Sequence, residues 1–233
     1  MDENHKMLAD MSVSYAADHL KSYYHSYLNG EEQTALTEEL FQLARVLRRA
    51  TRGLEPAKKV RLLYEVLSKS LTYDSATYAP GEGRGRFSYI GGLRSGKCVC
   101  MGISELFTLL AGILDLKAET VIGCVCKEVG RGGLHAWNMV WLPENGADVP
   151  YHLDLTWDLD KYAANGFRYY LKSDDYMREQ KRLWLPERYP RCPVDCDPRQ
   201  IPEIDSEAVR LLCGRLEKLR TTNKEEEKHA ALS

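Results

Sequence analysis

No stretch of this 233-residue chain approaches the roughly 20 consecutive apolar residues that a membrane-spanning helix needs. Its opening, MDENHKMLADMSVSYAADHL, carries acids and no apolar run of signal-peptide length, so a cytoplasmic protein is expected. Excess charge of one sign is also lacking. The 32 basic residues face 34 acidic ones, a formal charge of −2, which argues against a molecule built as an electrostatic sleeve for nucleic acid or an anionic membrane. Cysteine is too sparse for a disulfide scaffold, and the seven present are odd in number, so reduced thiols are expected, with room for a reactive one. Low-complexity runs and internal repeats are missing. What is there, 44% hydrophobic and 28% charged residues, describes a chain with a real core: one compact domain carrying helical additions.

Helical spacing governs the first part of the chain. Leu36, Leu40, Leu43, Val46 and Leu47 share a face, with Thr37 as candidate cap, and Gly53 is the expected stop. Pro56 suits the first turn of a second helix, on which Val60, Leu63, Tyr64, Leu67 and Leu71 repeat. From Tyr78 to Lys97, six glycines and one proline predict a long loop. Met101, Ile103, Leu106, Phe107, Leu110, Ile113 and Leu114 then give a wide apolar stripe, a buried helix with Cys98 to Cys100 at its N-terminus.

Three segments, ETVIGCVCKEV, HAWNMVWL and YHLDLTWDL, read as strands of an antiparallel sheet, the last two joined through Asn145-Gly146. Alternation puts His135, Trp137, Met139 and Trp141 on one face of the second strand. On the third it groups His152, Asp154, Thr156 and Asp158, so His135 and Asp154 can be neighbours across the hairpin. FRYYL suggests another strand. A last amphipathic helix starts near Ser206, with a polar tail from Thr221 that is expected to fray.

A thiol at a helix start followed by a histidine and an aspartate on successive strands suits nucleophilic catalysis. The helix end favours the Cys100 thiolate, His135 completes an ion pair and protonates a leaving amine, and Asp154 holds the imidazole tautomer. Other readings are weaker. GGLRSGK has phosphate-loop spacing, but Cys98 stands where a Mg²⁺-binding Ser or Thr is needed. Cys98/Cys100 and Cys124/Cys126 could suggest zinc, yet one intervening residue is fewer than the about two to four that zinc pairs use, and the members of each strand pair are expected to face apart. Cys98 could resolve an oxidised Cys100, but filling the turn is the favoured role. Cys192 and Cys196, in RCPVDC, read equally well as ordinary loop thiols or as a redox pair.

The wording around these residues is more specific than their spacing. GKCVCMGISELFTLL, GLHAWNMVWL and YHLDLTWDL, in this order, resemble the three motifs of the transglutaminase-like superfamily, in particular its bacterial branch. KKVRLLYEVLSKSLTYD and FRYYLKSDDYMREQ resemble its flanking segments, so the likeness covers about residues 55 to 195. It implies an α+β, papain-like fold in which the helix bearing the cysteine packs against an antiparallel sheet. The corresponding division is a helical extension at 1–54, a catalytic domain at 55–200, and a C-terminal helix and tail at 201–233. Its nucleophile, histidine and acid fall on Cys100, His135 and Asp154. Trp137 and Trp157 could wall an acyl-binding groove.

The resemblance further implies a hydrolase or acyl transferase acting on peptide or glutamine amide carbonyls of a protein or peptide substrate, through a thioester. A catalytically weak peptide-binding module is the alternative, and an arylamine N-acetyltransferase type of enzyme has less similar motifs. No cofactor or metal is expected. Some relatives use calcium, but Asp154, Asp158 and Asp160 are the nearest approach here to a calcium loop. The second oxyanion donor is not legible; Arg94, Ser95 and Lys97 lie nearby in sequence. Hydrolysis is expected to outrun transamidation, because a Gly-rich loop before the nucleophile leaves the site open.

Overall fold

Two helices, α1 (Gly30–Ala50) and α2 (Pro56–Ser70), open the described part of the computed structural model, which covers residues 30–77, 83–128, 131–159, 167–197 and 200–230. The helix expected before residue 30 lies outside these. Gly53, at φ +76°, turns the chain between α1 and α2, and Pro56 sits in the first turn of α2, where no N–H is required. Thr37 lies within α1 and so does not cap it.

The glycine-rich stretch, expected as loop, holds a 3₁₀ turn (Arg84–Phe87) and a short helix α3 (Tyr89–Arg94), whose Ser88 cap accepts the Ile90 N–H at 3.3 Å. Its glycines serve close packing. A Cβ on Gly91 would stand 2.6 Å from the Gly85 carbonyl oxygen, and one on Gly92 would stand 2.8 Å from a Leu106 methyl. Two short strands, β1 (Thr72–Tyr73) and β2 (Lys97–Cys98), pair in parallel and lead into helix α4 (Cys100–Ile113). α4 is buried on most of its circumference, as its apolar content requires.

β3 (Ala118–Glu128), β4 (Arg131–Glu144), β5 (Ala147–Leu153) and β6 (Arg182–Trp184) form an antiparallel sheet in the order β5-β4-β3-β6. Asn145 and Gly146, both at positive φ, make the two-residue hairpin between β4 and β5. The third predicted strand stops at Leu153; Leu155–Asp158 is a 3₁₀ turn. FRYYL forms bends rather than a strand, and the residue after it, Lys172, makes a single bridge to His152. After helix α5 (Asp174–Glu179) and β6, helix α6 (Ser206–Ala230) continues through the stretch expected to fray.

Strand alternation divides the core. Val140 and Leu142 of β4 join the helices in one apolar cluster, which also takes in Leu43 and Leu47 of α1 and Val209, Leu212 and Leu216 of α6. Trp137 and Met139 of β4 face the opposite side, with Val121, Tyr169, Met177 and Trp184. Arg220, buried on α6, donates to the carbonyls of Ser70 (2.8 Å), Gly92 (2.7 Å) and Leu93 (3.3 Å), the ends of α2 and α3. No helix among the described residues is long and apolar enough to cross a membrane.

Candidate active site

Cys100 is the first residue of α4, and its cap, Val99, supplies no side-chain acceptor, so the first-turn N–H groups leave an electropositive end beside the thiol. Gly102 makes the approach to this turn possible: a Cβ there would stand 2.6 Å from the Arg86 carbonyl oxygen and 2.7 Å from that of Ser88. Arg86 O also accepts the Val99 N–H at 2.9 Å, which fixes the lead-in to the thiol.

β4 carries His135 to the same place. Its Nε2 lies 2.9 Å from Asp154 Oδ2, leaving Nδ1 for the Cys100 sulfur, to which the ring is hydrogen-bonded. Asp154 stands just past β5, held by its N–H to Tyr169 O at 3.1 Å. The expected juxtaposition of His135 and Asp154 is therefore present. Thr156 and Asp158, however, belong to the 3₁₀ turn and do not continue a strand face with Asp154. Asp158 accepts from Tyr64 Oη (2.9 Å) and from the N–H groups of Arg168 (2.9 Å) and Tyr169 (2.7 Å), so its oxygens are occupied by protein donors. Asp160 lies outside the described residues.

Burial pushes the Cys100 thiol up, but the hydrogen bond and charge of His135 and the Ala136 N–H outweigh it, leaving the thiol below its ordinary value. For His135, burial favours the neutral ring, yet Asp154 and the thiolate reverse that and lift it to about 9. Burial likewise works against the Asp154 carboxylate and is overcome by His135 and Arg182, which hold it below the usual range. These directions favour a thiolate–imidazolium pair.

Arg182, which no spacing in the sequence marked, is the fourth member of this group. Its Nε and Nη2 donate to Asp154 Oδ2 at 3.0 and 2.8 Å, and its Nη1 reaches Tyr169 Oη at 3.1 Å. The guanidinium lies 3.9 Å from the Tyr169 ring centroid. Breaking a buried ion pair by deleting one partner costs about 3–5 kcal/mol, so Arg182→Leu is expected to lose that much stability in urea unfolding. A loss below about 1 kcal/mol would show that Asp154 does not depend on it.

A cavity of about 390 Å³ opens beside Cys100 and His135, walled by Tyr73, Phe87, Met101, Ile122 and Leu134 and flanked by Asp74 and Arg86. Neither tryptophan expected in a groove is among its lining residues. Trp137 is 1% exposed, and Trp157, 41% exposed, lies over the Arg182 guanidinium. Arg94 pairs with Glu39 and Ser95 Oγ bonds to Gly91 O, so neither is committed to an oxyanion.

The other thiols differ from Cys100. Cys98 is buried, and desolvation raises it to about 12 against the pull of Arg220. Cys124 and Cys126 share a face of β3, contrary to expectation, because residues two apart in a strand point the same way; their sulfurs are 3.7 Å apart. His152, Asp174 and Cys192 bring three potential metal donors together. There, however, His152 Nδ1 accepts from Trp137 Nε1 (3.0 Å), Nε2 faces Asp174 Oδ1 (3.0 Å), and burial keeps the Cys192 thiol protonated. These donors satisfy one another and do not present an open ligand set.

A family model described as the transglutaminase-like superfamily matches residues 43–151. The match begins within α1, earlier than expected, and ends before Asp154. No curated protein matches. Among solved structures the chain is similar to that of a TGase, at 20% identity and a TM-score of 0.40 over 61% of this chain and 38% of that one. It is also similar to a candidate cysteine protease from Cytophaga hutchinsonii, at 17% identity and a TM-score of 0.39 over 61% and 46%. The chain thus spans less than half the length of either.

Proposed function

Since the chain carries a transglutaminase-like superfamily domain, we propose that it is a cysteine-dependent hydrolase of peptide or glutamine amide carbonyls that works through a thioester. The observation that carries this reading is Cys100 at the start of α4, hydrogen-bonded to a His135 that Asp154 orients, on the wall of a cavity. The thiolate attacks the carbonyl carbon, and the electron pair displaced onto oxygen is met by the Cys100 N–H. Collapse re-forms the carbonyl and breaks the C–N bond as His135 passes its proton to the leaving nitrogen. Neutral His135 then takes a proton from water, whose oxygen displaces the thiolate to give the acid.

Water is favoured over an amine as acceptor because the site is open at its rim, where Leu134 is 53% exposed. Transamidation needs a path that delivers a neutral amine while excluding water. A substrate containing both glutamine and peptide bonds, offered with a primary amine at millimolar level, is expected to yield mostly free acid by mass spectrometry. A dominant amine adduct would make this a transamidase. No product and no thioester on Cys100 would favour the peptide-binding alternative.

A further inference from the structure

A second histidine–aspartate pair lies directly behind the first. The Trp137 indole N–H can only donate, so its 3.0 Å bond to His152 requires Nδ1 to be unprotonated. The His152 proton is therefore on Nε2, where Asp174 Oδ1 accepts it at 3.0 Å. Asp174 is itself fixed by the Cys192 N–H at 3.1 Å and by Arg178 at 3.8 Å. All three side chains, Trp137, His152 and Asp174, are buried.

This arrangement determines where one ring sits. Trp137 stacks on His135 with centroids 5.8 Å apart and an interplanar angle of 26°. Its far edge leaves no room for a side chain at residue 123, where a Cβ would come within 2.7 Å of the ring, and Trp184 closes on it edge-on at 5.7 Å. A ring confined in this way and tethered at Nε1 gives the His135 imidazole a fixed floor. The imidazole must keep one plane to reach Cys100 with Nδ1 and Asp154 with Nε2 together.

We propose that His152 and Asp174 are positioning residues for the Cys100–His135 pair, acting through Trp137: Asp174 sets the tautomer of His152, which tethers the tryptophan, which holds the histidine plane. This rests on the reading of Cys100 as nucleophile. His152 is neutral here, so replacing it removes no charge of its own, and Asp174, which loses one donor, keeps the Cys192 N–H and Arg178.

The test follows alkylation of the individual cysteines by iodoacetamide from about pH 5 to about pH 9, resolved by peptide mass mapping. Wild-type Cys100 is expected to react fastest, with its thiolate appearing below the ordinary thiol range. His152→Leu is expected to move that profile to higher pH and slow Cys100 about tenfold at neutral pH, a typical size for coupling between contacting groups. His152→Gln, whose amide oxygen can accept the indole N–H, is expected to restore most of the rate. In a Trp137→Phe background, His152→Leu is expected to add little. Should His152→Leu fail to fold, Trp137→Phe, which keeps a ring but removes the donor, is expected to give the same shift. A fast wild-type Cys100 with an unchanged profile in the folded variants overturns this proposal alone. A wild-type Cys100 no faster than the other thiols overturns the nucleophile reading and this one with it.

Discussion

Cys100→Ala is expected to abolish thioester formation with an electrophilic peptide and to reduce turnover by about 10⁶-fold, whereas Cys98→Ser is expected to retain most of both. The two sulfurs are two residues apart but differ in environment. Cys98 is buried next to Gly92, with its thiol pushed up to about 12 by desolvation. Cys100 has burial working against its thiolate but gains an imidazole partner and a backbone N–H that together prevail. The measurement is intact-mass detection of the adduct, followed by peptide mapping. An adduct on Cys98 of the folded protein would mean that the nucleophile has been assigned to the wrong cysteine.

Asp154→Asn is expected to lower turnover by about 10⁴-fold, the size seen when the carboxylate that sets the imidazole tautomer is lost. An amide that turns its N–H toward His135 Nε2 forces the ring proton onto Nδ1, where it faces the thiol and can no longer leave a thiolate–imidazolium pair. The substitution also strips the counter-charge from Arg182, whose Nε and Nη2 both rest on Asp154 Oδ2, so a fall in stability should accompany the fall in rate. Circular dichroism under assay conditions separates the two effects. Near-normal turnover by a folded Asp154→Asn protein would remove Asp154 from the mechanism.

How much of this was legible depended on whether the signal is local. The buried helix behind Cys100, the β4–β5 hairpin and the nearness of His135 to Asp154 follow from apolar periodicity, a turn dipeptide and alternation, each read within a few residues. Arg182 left no such trace: it sits on a three-residue strand and reaches a carboxylate 28 positions away. The pairing of His152 with Asp174, 22 positions apart, is hidden for the same reason. The stretch around Gly91 and Gly92 was misread because glycine's low helix propensity suggested a turn, while tertiary packing needed backbone without side chains and imposed a helix. The third strand was overextended since alternation continues through Thr156 in the sequence, although the backbone leaves the sheet at Leu153.

The grip of Arg220 on Ser70, Gly92 and Leu93 ties the thiol's surroundings to the far end of the chain. Those carbonyls terminate two helices and would otherwise have no helical donor, and Gly96, at φ +71°, leaves just enough room for the guanidinium, since a Cβ there would stand 2.9 Å from it. Local opening of α6 therefore releases three acceptors at once along the segment that delivers Cys100 to its place. The hydrogen-bonded amides of α3, and those of Val99 and Ile103 at the start of α4, should exchange together with those of α6, as one cooperative unit assembled from sequence neighbours and distant residues alike.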